Sequence, residues 1–220
     1  KLERIRFGFD GDDFVGFLDD NEDIENTSIF NALDIGVGRL PMDNVNDADA
    51  VVNKIKMYGS TSSLGPWRIS ATYVGDKEDG AGQHMSDAEE TNTTVSEVSG
   101  GIYNPTKVYV DAIPIISTPG GARSPNANQT INDQVFKGTF FINYTGHGNT
   151  QVWSNERILT QDDYNKWNNI TALPFTITAT CDFGQFDNPA FVSAGEQLVL
   201  RNNGGVIAAI TTTQQTFEDA

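Results

Sequence analysis

Short apolar runs alternate with amphipathic stretches through most of this chain. In residues 46–58, Ala48, Val51, Val52, Ile55 and Tyr58 recur at helical spacing with polar residues between them, which predicts a helix lying on a sheet. The pattern predicts further helices over 129–136, 162–167 and 194–201 and strands over 68–74, 107–110 and 205–210, with a short apolar run at 33–37 ahead of the first helix. Residues 85–98 are a weaker helix, because Thr91-Asn-Thr-Thr94 has poor helix propensity. Two more strands stand out, Thr139-Phe-Phe-Ile-Asn-Tyr-Thr145 and Pro174-Phe-Thr-Ile-Thr-Ala-Thr180. Near-continuous apolar strands alternating with helices predict an α/β fold whose largely parallel sheet is covered on both faces.

Each of those last two strands delivers a reactive side chain at its C-terminal end. The first runs into Gly146-His147-Gly148 and the second into Cys181. Neighbouring parallel strands bring such ends together where α/β sheets bind their ligands, and a separation of 34 residues leaves room for a crossover helix. A thiol becomes a strong nucleophile beside an imidazole that takes its proton, so Cys181 and His147 form a candidate nucleophile and base. Gly148 leaves the backbone open to a substrate and Gly146 permits a tight turn. The competing readings are a buried structural Cys181, His84 as the base from a polar Gly-rich loop, and hydroxyl chemistry from Thr211-Thr-Thr213.

Composition narrows the partners. Among 220 residues, Asp and Glu number 30 against 14 Lys and Arg, a net charge of −16 that argues against nucleic acid or anionic lipid. One cysteine excludes an internal disulfide and a Cys-rich zinc site. Asp19-Asp-Asn-Glu-Asp23 spaces its oxygens like a calcium loop, but Ile24 stands where an EF-hand needs Gly and Phe30 where it needs Glu. Irregular structural calcium sites at Asp10, Asp12, Asp19 or the Asp76-Lys-Glu-Asp79 loop remain open, and no cofactor is required.

Several motifs then occur in order: Asp34-Ile-Gly-Val-Gly-Arg-Leu-Pro41, Gly82-Gln-His-Met-Ser-Asp-Ala-Glu89, Ile116-Ser-Thr-Pro-Gly-Gly121, Asn143-Tyr-Thr-Gly-His-Gly148, Leu173-Pro-Phe175, Ala179-Thr-Cys-Asp182 and Ser193-Ala-Gly-Glu196. Together they resemble gingipain-family cysteine peptidases, and within that family the branch that removes C-terminal secretion domains in type IX secretion. The resemblance implies a caspase-like (gingipain-type) α/β domain over residues 33–220, incomplete at its C-terminus, with residues 1–32 the acidic end of a truncated upstream subdomain. It implies Cys181 as nucleophile, His147 as proton-transfer partner, and the N–H groups of Gly148 and Cys181 as the oxyanion hole. Asp76 is the expected acid orienting His147, with Glu78 and Asp79 as competitors, and Trp153 is a pocket wall or a core residue. Expected partners are proteins bearing C-terminal secretion domains and other secretion-system components, at a bacterial outer membrane and cell surface or in secreted form. The alternatives are a secreted gingipain-like endopeptidase and an inactive structural domain.

Overall fold

Five parallel strands form the central sheet of the computed structural model, which describes residues 16–18, 34–79 and 83–215. In chain order the elements of its larger unit, residues 42–220, begin with α1 (Val45–Tyr58), β1 (Ser70–Gly75), α2 (His84–Ser99) and β2 (Asn104–Tyr109). A two-stranded antiparallel hairpin, β3 (Ile116–Thr118) and β4 (Gly121–Arg123), precedes α3 (Pro125–Lys137) and β5 (Phe141–Thr145). The chain continues through α4 (Gln161–Tyr164), β6 (Phe175–Ala179), α5 (Ala194–Leu200) and β7 (Ala208–Ile210).

The sheet order is β2-β1-β5-β6-β7. From β1 the chain steps outward to β2, then returns to the other side of β1 and proceeds outward through β5, β6 and β7. The order therefore reverses between β1 and β5, and in open α/β sheets the crevice beyond the strand ends at such a reversal is where ligands bind.

Alternation along the strands sorts side chains to two faces. Ala71, Tyr73 and Phe141 form a small cluster with Val95 of α2, held by an edge-on Tyr73–Phe141 pair at 5.4 Å. Val74, Ile142 and Tyr144 point the other way into the main core, where Ala127, Ile131 and Val135 of α3 and Ala194 and Leu198 of α5 cover them. Helices thus cover both faces, as the apolar strands predict.

The boundaries shifted for local reasons. The strand expected at 107–110 starts three residues earlier, because Pro105 is tolerated on the outermost strand, where the amide it lacks can face away from the sheet. The helix expected at 129–136 starts at Pro125, an N-terminal position suited to its missing N–H. The closing strand shortens to Ala208–Ile210. Of the apolar run at 33–37, the described part forms no strand: residues 34–41 carry neither helix nor strand, and Ile35 is exposed. These residues belong to the smaller unit, 1–41, in which the Asp34 carboxylate accepts a 2.8 Å hydrogen bond from the Leu18 N–H.

α1 is tied to α5 by an unusual anchor. Lys54 is 2 % exposed and its ammonium donates to the carbonyls of Leu198 (3.0 Å) and Val199 (2.8 Å), two of the C-terminal acceptors that a helix leaves unmatched. Burial, with a smaller effect from Arg201, lowers its pKa from 10.5 to about 7. Between these values the unfolded chain holds the extra proton, so this residue makes stability rise with pH across that window and withdraws the gain as pH falls toward 7. Thermal melts of the intact chain and Lys54→Met at pH 7 and pH 9 should show the difference in midpoint moving in favour of wild type at pH 9; a pH-independent difference would remove Lys54 as the cause.

Candidate active site

Register places the two reactive residues together. β5 and β6 pair in parallel with Thr145 opposite Ala179, and the Gly146 N–H donates to the Ala179 carbonyl at 3.1 Å, extending the match beyond the strands. His147 and Cys181 each follow two residues after that pair, on chains spaced about 4.8 Å apart where the ladder holds. Both are partly exposed. Cys181 is therefore not the sealed core residue of the competing reading.

β1 completes the crevice. Its ladder with β5 ends at Gly75 opposite Thr145, and the Asp76 N–H then donates to the Thr145 carbonyl at 3.0 Å. Asp76 is 1 % exposed, and its carboxylate accepts the backbone N–H of His147 at 3.1 Å, that of Lys77 at 2.7 Å, and the Tyr144 hydroxyl at 3.4 Å. Burial holds its carboxyl above the ordinary range, while hydrogen bonds from Ser154, Lys77 and His147 pull the other way. The one proton of the Tyr144 hydroxyl is shared with the His147 carbonyl, its nearer acceptor. The backbone carrying His147 is thus clamped from both of its polar ends.

These contacts revise the expected part of Asp76. Its oxygens are committed to backbone N–H groups and a phenol, so it fixes the peptide of His147 and not the ring. The ring meets Asp79 instead, whose Oδ2 lies 2.9 Å from His147 Nε2. Of the two competitors, Glu78 turns aside to accept from the Ser86 hydroxyl at 3.1 Å. His84, the rival base, opens α2 instead of lying in a loop, and its buried ring sits edge-on against that of His147, centroids 4.9 Å apart.

Gly148 joins a short antiparallel bridge to Trp153, flanked by Ser154 N–H to His147 O at 2.7 Å and Asn149 N–H to Val152 O at 3.1 Å. In such a non-hydrogen-bonded pair neither bond uses the Gly148 N–H, which suits an oxyanion donor. A side chain there would meet Thr180 Oγ1 at 2.4 Å, so glycine is required for the loop to approach β6. Trp153 is wholly buried and stacks on Tyr144 at 4.4 Å, which corrects the expectation of a pocket wall: substrate cannot reach it. On the Cys181 side, Asp182 has φ +57 and its N–H donates to the Gln214 carbonyl at 3.2 Å, turning the chain sharply just past the thiol.

A cleft of about 380 Å³ opens beside His147 and Gly148, lined also by Gly120 and Arg123 of the hairpin region and by Arg157. Sequence reasoning missed this basic patch, since its two arginines are 34 residues apart and nothing local joins them. Of the open calcium positions, Asp76 is spent on the contacts above and Asp10, Asp12 and Asp19 lie outside the described residues.

Residues 4–220 match the family model described as Peptidase family C25. The fold is similar to the crystal structure of the Arg-specific cysteine proteinase gingipain R, with a TM-score of 0.72 and 19% identity over 96% of this chain and 45% of that one. It is also similar to the complex of Porphyromonas gingivalis RgpB pro- and mature domains, with a TM-score of 0.63 and 17% identity over 79% of this chain and 40% of that one. The chain thus spans less than half the length of these solved relatives. No curated protein matches it.

Proposed function

This chain belongs to peptidase family C25, and we propose that it is the catalytic core of a cysteine endopeptidase. The observation that carries the reading is the β5–β6 register, which sets His147 and Cys181 at matching strand ends in the crevice. With the His147 Nε2–H donating to Asp79, the lone pair of the neutral ring lies on Nδ1. That nitrogen takes the Cys181 proton as the thiolate sulfur attacks the scissile carbonyl. The oxyanion forms against the N–H groups of Gly148 and Cys181, and its collapse expels the amine, which leaves with the proton held on His147. A thioester remains. Water or another amine resolves it, giving hydrolysis or transpeptidation.

The finer proposal is that the substrates are exported proteins whose C-terminal secretion domain is removed, as by PorU, the type IX signal peptidase, with the acyl group passed to water or to a surface amine at the outer membrane. Two observations support processing over Arg- or Lys-directed digestion. Where the resemblance would have an Arg-directed gingipain place a pocket Asp, this sequence has Ala81 or Gly82, positions outside the described residues. The cleft beside His147 is lined by Arg123 and Arg157, whose charge repels a substrate guanidinium or ammonium. A secreted gingipain-like endopeptidase is the second reading, favoured by the fold likeness to gingipain R.

Mass spectrometry of a secretion-domain substrate and of Arg-, Lys-, Ala- and Ser-terminated peptide reporters, each incubated with the intact enzyme, separates the two. Release of the secretion domain with poor cleavage after Arg and Lys is expected. Selective cleavage after Arg or Lys with that domain left attached would favour the digestive reading.

A further inference from the structure

We propose that Asp79, His84 and His147 form an inhibitory Zn²⁺ site that disables the base of the peptidase; the inhibitory part rests on the reading above. One ligand atom from each residue lies within 4.8 Å of the others. Asp79 Oδ2 and His147 Nε2 are already 2.9 Å apart, and the two imidazoles meet edge-on. A tetrahedral zinc with donors at about 2.0–2.2 Å holds them roughly 3.3 Å from one another, so only small side-chain rotations are needed.

The three residues are suited to that adjustment. The side chains of His147 and Asp79 are 36% and 46% exposed, so an ion arriving from solvent can reach both. His84 is the fixed member. A side chain at Gly75 would meet Met85 Cα at 2.8 Å and the His84 carbonyl at 3.0 Å, so the bare glycine is what lets the start of α2 seat His84 against the end of β1. Two imidazole nitrogens and one carboxylate match zinc's preference, whereas calcium and magnesium take all-oxygen shells. Three protein ligands leave a fourth position for water.

The consequence for catalysis follows from the tautomer. Metal on Nε2 takes up the lone pair there, so the single proton of the neutral ring, shared with Asp79 before, moves to Nδ1. That is the nitrogen the thiol needs as acceptor. Zinc would therefore silence His147 without touching Cys181, and its removal would restore the base.

The test is calorimetric titration of ZnCl₂ into the intact chain carrying Cys181→Ala, which has no thiol to bind the metal. One site is expected, with His84→Asn and Asp79→Asn each weakening it at least about 10-fold. Co²⁺ in the same site should give visible ligand-field bands without thiolate charge transfer, in wild type as well. Zinc should inhibit wild-type cleavage reversibly, and His84→Asn should resist that inhibition. Absence of binding in the Cys181→Ala chain, or binding unchanged in both ligand variants, would overturn the site. Asp79→Asn changes an exposed position and keeps the test decisive if His84→Asn fails to fold. Because binding is read in a protein that cannot turn over, failure of the zinc site and failure of the peptidase reading are distinguishable.

Discussion

Cys181→Ala is expected to leave no measurable peptide-bond cleavage, and His147→Ala to lower kcat/KM by about 10²–10⁴-fold, the usual span for a positioned acid–base group. The asymmetry has a physical origin. Without sulfur there is no acyl-enzyme, and the chain has no second cysteine to replace it. Without the imidazole the sulfur is still present to attack, and the Gly148 and Cys181 amides proposed as the oxyanion hole would still receive the oxyanion. Both residues are partly exposed, so neither change should cost much stability. Steady-state kinetics with a cleaved reporter, beside thermal melts of each variant, measures this. Turnover near wild type in either variant would refute the nucleophile–base pair.

Gly146→Ala should be nearly as damaging through structure. The glycine has φ +153, and a Cβ there would fall 2.2 Å from Asp76 Cβ and 2.8 Å from the Tyr144 hydroxyl. Asp76 cannot retreat cheaply, because it is buried and holds the peptide of His147. Overpacking of about 1–3 kcal/mol adds to backbone strain of similar size, so a loss of roughly 3 kcal/mol or more is expected. For a domain of this length that is about 6–12 °C in melting temperature. Activity should fall beyond the stability loss, since His147 is the residue displaced. A melting temperature within about a degree of wild type would show that the crevice relaxes far more readily than its contacts imply.

Much of this site was legible before any coordinates. Strands 139–145 and 174–180 are apolar and end in Gly-His-Gly and Cys, and the sheet pairs them with matching ends. The motif resemblance agrees with the family match over residues 4–220. What sequence could not assign was partnership at the ring. Asp76, Glu78 and Asp79 lie within four positions, and the choice depends on which carboxylate the end of β1 buries, a tertiary property. His84 read as a polar-loop residue because its neighbours are glycine-rich, yet it begins a helix whose seat requires Gly75. Trp153 follows His147 closely enough to suggest a pocket wall, but the bridge to Gly148 turns it inward onto Tyr144. The basic cleft depends on a hairpin that no apolar periodicity marks, since Ile116–Thr118 and Gly121–Arg123 are each three residues long.

The rate at which iodoacetamide alkylates Cys181 in the intact chain at pH 7, compared with the same rate in His147→Ala, tests the central claim most directly. The protein has one cysteine, so mass spectrometry reads a single adduct without ambiguity. An imidazole that takes the thiol proton should make the wild-type thiol at least about 10-fold faster than the variant. Equal rates in the two proteins would contradict the pairing of Cys181 with His147.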